Sequence, residues 1–114
     1  MAKENPTVKF AKENGLIDER EIINVADIAC TNGNDGRAWI FINGSDMHLF
    51  ELIGFSRIGE CVETIDLKNA EILKSRRFIL APSLNLKYNG YTYKIINFSQ
   101  PKKFIEAVRE GCAK

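Results

Sequence analysis

The sequence predicts a mainly-β domain closed by a helix, and three features carry that expectation. Seven segments rich in β-branched and aromatic residues follow one another between Glu21 and Asn97. Two Asn-Gly pairs, Asn43-Gly44 and Asn89-Gly90, punctuate them, as tight hairpins require residues that accept positive φ. One amphipathic segment, with Phe104, Ile105 and Val108 on a shared face, then ends the chain.

Ahead of the strands, residues 1–15 read as a short helical arm. Asn5 is placed to cap it, Pro6 suits a first turn, and Gly15 suits the left-handed position past the end. Val8, Phe10 and Ala11 give it a narrow apolar stripe, and a helix this short holds only if it docks. The strands run Ile22–Thr31, Arg37–Ile42, Met47–Ile53, Cys61–Leu67, Glu71–Leu80, Leu84–Tyr88 and Tyr91–Asn97. Asn32–Gly36 reads as a turn, and Gly54–Glu60 as a loop. In the last helix Ser99 or Gln100 serves as cap, Pro101 falls in the first turn and Gly111 marks the end.

Register assigns faces. A two-residue loop at Asn89-Gly90 sets Tyr88 opposite Tyr91, Leu86 opposite Tyr93 and Leu84 opposite Ile95, all inward. Asn85, Lys87, Thr92 and Lys94 then point outward. On the Asn43 hairpin, Ala38, Ile40, Ile42, Met47 and Leu49 share one face, and Trp39, Phe41, His48, Phe50 and Leu52 share the other. Both faces are apolar. One lines the core, and the other needs a cover: the N-terminal helix, the C-terminal helix or a partner chain.

A chain of 114 residues, 45% hydrophobic and 27% charged, has the make-up of one globular domain. The 16 Lys and Arg against 15 Asp and Glu leave a net charge of +1, so a uniformly basic surface and a nucleic-acid partner are not expected. No apolar run approaches the ~20 residues of a membrane-spanning helix and no signal peptide is legible, so a cytoplasmic location is expected. Cys30, Cys61 and Cys112 are too few and scattered for a disulfide scaffold. Cys30 and Cys61 are expected to be small buried hydrophobes on strands, and Cys112 to lie near a frayed end.

Four stretches carry a family resemblance: the lead-in Leu16-Ile17-Asp18-Glu19-Arg20-Glu21-Ile22, the strand Ala38-Trp39-Ile40-Phe41-Ile42, the pair around Asn89-Gly90-Tyr91-Thr92-Tyr93, and the closing Phe104-Ile105 helix. Together they resemble the small bacterial pleckstrin-homology-like (GRAM-like) domains over roughly Leu16 to Gly111. The resemblance implies a seven-stranded pleckstrin-homology-like split barrel of two antiparallel sheets with a C-terminal α-helix and a short N-terminal helix. Residues 1–15 would be its arm and 16–114 the domain. It also implies a module that binds rather than catalyses. The family's best-known ligands, phosphoinositide head groups, are held by basic residues around the first hairpin loop. Here that loop, Thr31-Asn32-Gly33-Asn34-Asp35-Gly36-Arg37, has one cation and one acid, so the ligand is not carried over.

No catalytic constellation can be drawn, because His48 is the single histidine and nothing orients it against a cysteine. No metal site or cofactor is expected: potential ligands do not converge, Asn34-Asp35-Gly36 lacks calcium-loop spacing, and the phosphate-cradling glycine motifs are missing. Two candidate surfaces remain. Trp39, Phe41, His48 and Phe50 suit an interface with a protein partner or a second copy, unless the N-terminal helix covers them. Lys74, Arg76, Lys87 and Lys94, which Arg77 could join, suit an anion-binding face, although a net charge of +1 gives no long-range attraction and favours an ordinary solvated face with lysines guarding strand edges. The expectation is a non-enzymatic binding or assembly module, possible as a homodimer, with a protein as first partner and anionic membrane lipid as second. A small-molecule ligand is left open.

Overall fold

The computed structural model describes residues 5–114 apart from Asn32, Asn34 and Ile79. In chain order the elements are α1 (Pro6–Glu13), β1 (Ile22–Cys30), β2 (Gly36–Asn43), β3 (Asp46–Ile53) and β4 (Arg57–Asp66). A 3-10 turn (Leu67–Asn69) leads to β5 (Glu71–Arg76), β6 (Ser83–Tyr88), β7 (Tyr91–Ile96) and α2 (Pro101–Ala113). Residues 1–4 of the expected arm, two residues of the first hairpin turn and Ile79 of the expected fifth strand lie outside the described residues.

The strands pair antiparallel in the order β4-β3-β2-β1-β7-β6-β5. β1 joins the two halves by dividing its length: Ile22–Ile28 pairs with β2, and Asp27–Cys30 pairs with β7. The two sheets expected from the resemblance are therefore one continuous hydrogen-bonded ladder, and its free edges, β4 and β5, form the split. α2 packs against the 3-10 turn, β1 and β5. Its Phe104, Ile105 and Val108 join the inward side chains Ile40, Ile42, Leu84 and Leu86 in the main core.

The Asn89-Gly90 hairpin has the anticipated register, and φ is 55° at Asn89 and 83° at Gly90, as a type I′ turn needs. Tyr91 departs from it: at the end of the ladder it has outrun the core and is exposed. At the other hairpin Asn43 pairs with Asp46, so the loop residues are Gly44 and Ser45. The Asn43 side chain instead donates to the Gly15 carbonyl at 2.9 Å, tying the arm to the barrel.

Five expectations need correction. β4 begins at Arg57, not Cys61, because Ile58 finds apolar neighbours and the turn shrinks to residues 54–56. A register shift in β4 then sets Cys61 opposite Phe50 on the outer face, so this thiol is exposed rather than buried. β5 stops at Arg76, and Arg77, Phe78 and Leu80 leave the sheet. Gly111 does not end α2 but is buried within it. A Cβ there would lie 2.5 Å from Leu67 Cδ1 and 3.0 Å from the Gly44 carbonyl oxygen, so only glycine lets α2 approach so closely. Cys112, half-buried against the core, is consequently part of that helix and not of a frayed end.

The lead-in to β1 is locked by charge. Arg20 donates to Asp18 at 2.7 Å and to Glu110 on α2 at 2.6 Å, while the Gly44 N–H donates to Asp18 at 3.1 Å. The Arg20 hydrogen bonds hold the Asp18 carboxyl down to a pKa of about 2, against the opposing pull of partial burial.

Candidate functional site

The outer face of the β2–β3 hairpin assembles as its pattern requires, with Trp39 opposite Phe50 and Phe41 opposite His48. α1 forms because Asn5 caps it, accepting from the Thr7 N–H at 2.8 Å, and because Pro6 needs no amide partner in the first turn. It lies on that face with Ala11 fully buried. Phe10 meets Phe50 edge-on at 6.1 Å, Phe50 meets Phe41 edge-on at 5.5 Å, and Trp39 stacks on Phe41 at 6.2 Å. Phe41 is 0% exposed. Trp39 Nε1 donates to the Arg57 carbonyl at 3.3 Å. His48 pairs through Nδ1 with Thr64 Oγ1 at 3.0 Å, and burial pushes its pKa down despite nearby Asp46. The structure thus brings Trp39, Phe41 and Phe50 together in a second small core under α1, with half-buried His48 set between Phe41 and Thr64 across the strands.

The basic residues divide differently. Lys74 and Lys94 sit either side of Asn85 on adjacent strands, and Arg76 lies opposite Ser83. Lys87 lies across from Glu71, about 7 Å along β6 from the Asn85 row and about 13 Å from Ser83 at ~3.3 Å per residue. It differs from the other three in having an acid as its cross-strand neighbour and in lining neither of the depressions described next.

What gathers those three is the segment after β5. Two depressions flank it. One, of about 380 Å³ on the outer sheet face, is lined by Lys74, Arg76, Ser83, Asn85 and Lys94 among others. The second, of about 1210 Å³, opens between this segment and the start of α2, and adds Arg77, Phe78, Lys102 and Lys103. Lys74, Arg76, Leu80 and Ala81 are common to both. Six exposed cations therefore surround one corner, and among the described residues no carboxylate lines it or pairs with any of the six.

Lys102 and Lys103 are the residues that sequence reading missed. They occupy the first turn of α2, which contains no acid, where the helix dipole disfavours cations by about 0.3–1 kcal/mol each. A local rule broken twice was the available signal. Phe78 and Leu80 were hidden by being read as the continuation of a strand.

The opposite charge collects elsewhere. Asp35, Glu51 and Glu63 line a smaller cavity of about 230 Å³ with Arg37 as its single cation. There the Tyr93 hydroxyl donates to Glu63, and burial followed by that bond pushes the tyrosine pKa up. Among the described residues no group of three or more His, Cys, Asp or Glu side chains could hold a metal ion, and no helix is long and apolar enough to cross a membrane. The basic corner supplies donors for anionic oxygens beside apolar side chains, which suits binding.

No protein-family model matches the chain, and no curated protein matches its sequence. Solved structures do match in shape. The pleckstrin homology domain of ArhGAP27 superposes with a TM-score of 0.59 at 13% identity, over 81% of this chain and 98% of that one. The ORP8 pleckstrin homology domain gives 0.59 at 14%, over 80% and 93%. An activated truncation of Vav1 gives 0.65 at 9%, over 92% of this chain, which spans only 32% of that truncated chain. The fold is pleckstrin-homology-like.

Proposed function

We propose that the chain is a non-enzymatic docking module that settles on an anionic membrane surface through the corner formed by the β5–β6 segment and the start of α2. One observation carries the reading: six exposed cations, with no acidic partner among the described residues, converge on a chain whose net charge is only +1. At roughly 1 kcal/mol for each Lys or Arg near an anionic bilayer, six contribute up to about 6 kcal/mol, enough for reversible attachment. A cytoplasmic location belongs to the same proposal, since anionic lipid concentrates on that leaflet. So does the GRAM-like resemblance. Self-association through Trp39, Phe41, His48 and Phe50 is the weaker reading, because α1 must leave before Phe41 can touch a partner.

Co-sedimentation with vesicles tests the proposal. The protein is expected to bind phosphatidylcholine vesicles containing phosphatidylserine and to ignore pure phosphatidylcholine. Binding should weaken as salt rises from ~0.05 to ~0.3 M and the Debye length contracts. Equal binding to both vesicle types, or to neither, contradicts it.

A further inference from the structure

We infer that Phe78 and Leu80 form an apolar wedge that enters the acyl boundary of an anionic bilayer while the surrounding cations stay at headgroup level; this inference rests on the membrane reading above. Phe78 is 72% exposed and Leu80 100% exposed, two residues apart on the segment that leaves β5. Arg76 and Arg77 immediately precede them, and Lys102 and Lys103 line the same depression from α2. Large apolar side chains standing free in water are unfavourable, and here two of them share a site with six cations. That pairing of apolar tips with a basic surround is the composition of an interfacial anchor, whose apolar part sinks below the headgroups that the cations hold.

The degree of exposure selects a bilayer over an acidic peptide. A peptide groove shelters its apolar lining between walls, whereas Leu80 has its whole surface in water. Side chains that stand out in this way match a soft surface that yields around them. Phe55 supplies the internal contrast. It is equally exposed, at the turn between β3 and β4, yet it lines neither basic depression.

The wedge and the charges respond differently to salt, which makes them separable. Full-length wild type, the double variant Phe78→Ser/Leu80→Ser and the control Phe55→Ser are compared on phosphatidylserine-containing vesicles at ~0.1 and ~0.5 M salt. All three substitutions lie at exposed positions, and thermal melts verify that folding is retained. The double variant is expected to bind about tenfold to hundredfold more weakly per residue removed, and to lose the fraction that wild type keeps at high salt. Phe55→Ser should match wild type. In a Trp39→Phe/Phe78→Trp protein, the single tryptophan reports on the wedge. Its emission should shift to the blue on vesicles and be quenched by lipids brominated near the headgroup end of the acyl chain.

Wild-type binding by the double variant, with loss only in Lys102→Glu, would overturn the wedge and leave the charge reading standing. Absence of vesicle binding in wild type would overturn both. An equal blue shift of the Trp39→Phe/Phe78→Trp protein with soluble poly-glutamate would also overturn the wedge, by marking the corner as a site for acidic protein.

Discussion

Replacing Ala11 with aspartate should detach α1 without unfolding the barrel. Ala11 is fully buried between α1 and the aromatic face, and an isolated carboxylate there costs several kcal/mol. The other side chains that dock the helix are Val8 and Phe10, both half-buried, at about 0.8–1.5 kcal/mol each if half of a full burial is gained, and Lys12, whose half-exposed ion pair with Glu21 at 2.9 Å adds at most about 1 kcal/mol. The penalty exceeds what holds the helix, so the helix yields. The main core shares no buried residue with this cluster and stays intact. The chain has one tryptophan, so its emission reports directly on the event: Trp39 should shift to the red while most of the strand signal in circular dichroism persists. With Trp39, Phe41 and Phe50 uncovered, light scattering should show mass rising from 12.9 kDa as concentration increases. Unchanged emission with an unchanged helical signal would refute the cover. A single cooperative collapse of the whole fold would refute the separation of the two cores.

Other outcomes follow from particular contacts. Because the folded Asp18 pKa of about 2 lies below its ordinary 3.8, its ion pair contributes above about pH 4 and is lost as pH falls towards 2. Arg20→Gln should therefore cost about 1–2 kcal/mol in urea melts at pH 7 and almost nothing below pH 2; an equal cost at both would contradict it. Gly111→Ala forces a methyl against Leu67 and the Gly44 carbonyl, and should lower stability by about 1–3 kcal/mol, or Tm by about 5–15 °C. Of the 3 cysteines, exposed Cys61 should react first with a thiol reagent. Cys112, whose pKa burial pushes up, should follow slowly, and buried Cys30 only on unfolding.

Strand pairing was legible wherever a turn fixed the parity. Asn89-Gly90 determined every partner from Leu84 to Ile95, and the Asn43 region separated Ile40 from Phe41 although its loop residues proved to be Gly44 and Ser45. Alternation stopped being informative at β4, where a register shift turned Cys61 outward; no single-residue feature marks such a bulge. The same limit hid the basic corner. Lys74, Arg76 and Lys94 were readable as one face, but Lys87 was grouped with them because period 2 says which side a residue takes, not that Glu71 lies beside it or that the corner leaves it out. Lys102 and Lys103 come from α2, some 25 residues beyond β5 in sequence, and only tertiary packing brings them beside Arg76 and Arg77. Phe78 and Leu80 were read as strand because an apolar run resembles one until a structure shows where the sheet ends.

Where the charge acts is the most direct test of membrane docking through this corner. Lys102→Glu and Lys87→Glu change net charge identically, but one removes a cation from the corner and the other from the far part of β6. Measured side by side on phosphatidylserine-containing vesicles at low salt, Lys102→Glu should lose about tenfold or more in affinity while Lys87→Glu stays within about twofold of wild type. Equal losses would mean that net charge and not the corner governs attachment, and a larger loss at Lys87 would place the docking surface on the other end of the sheet.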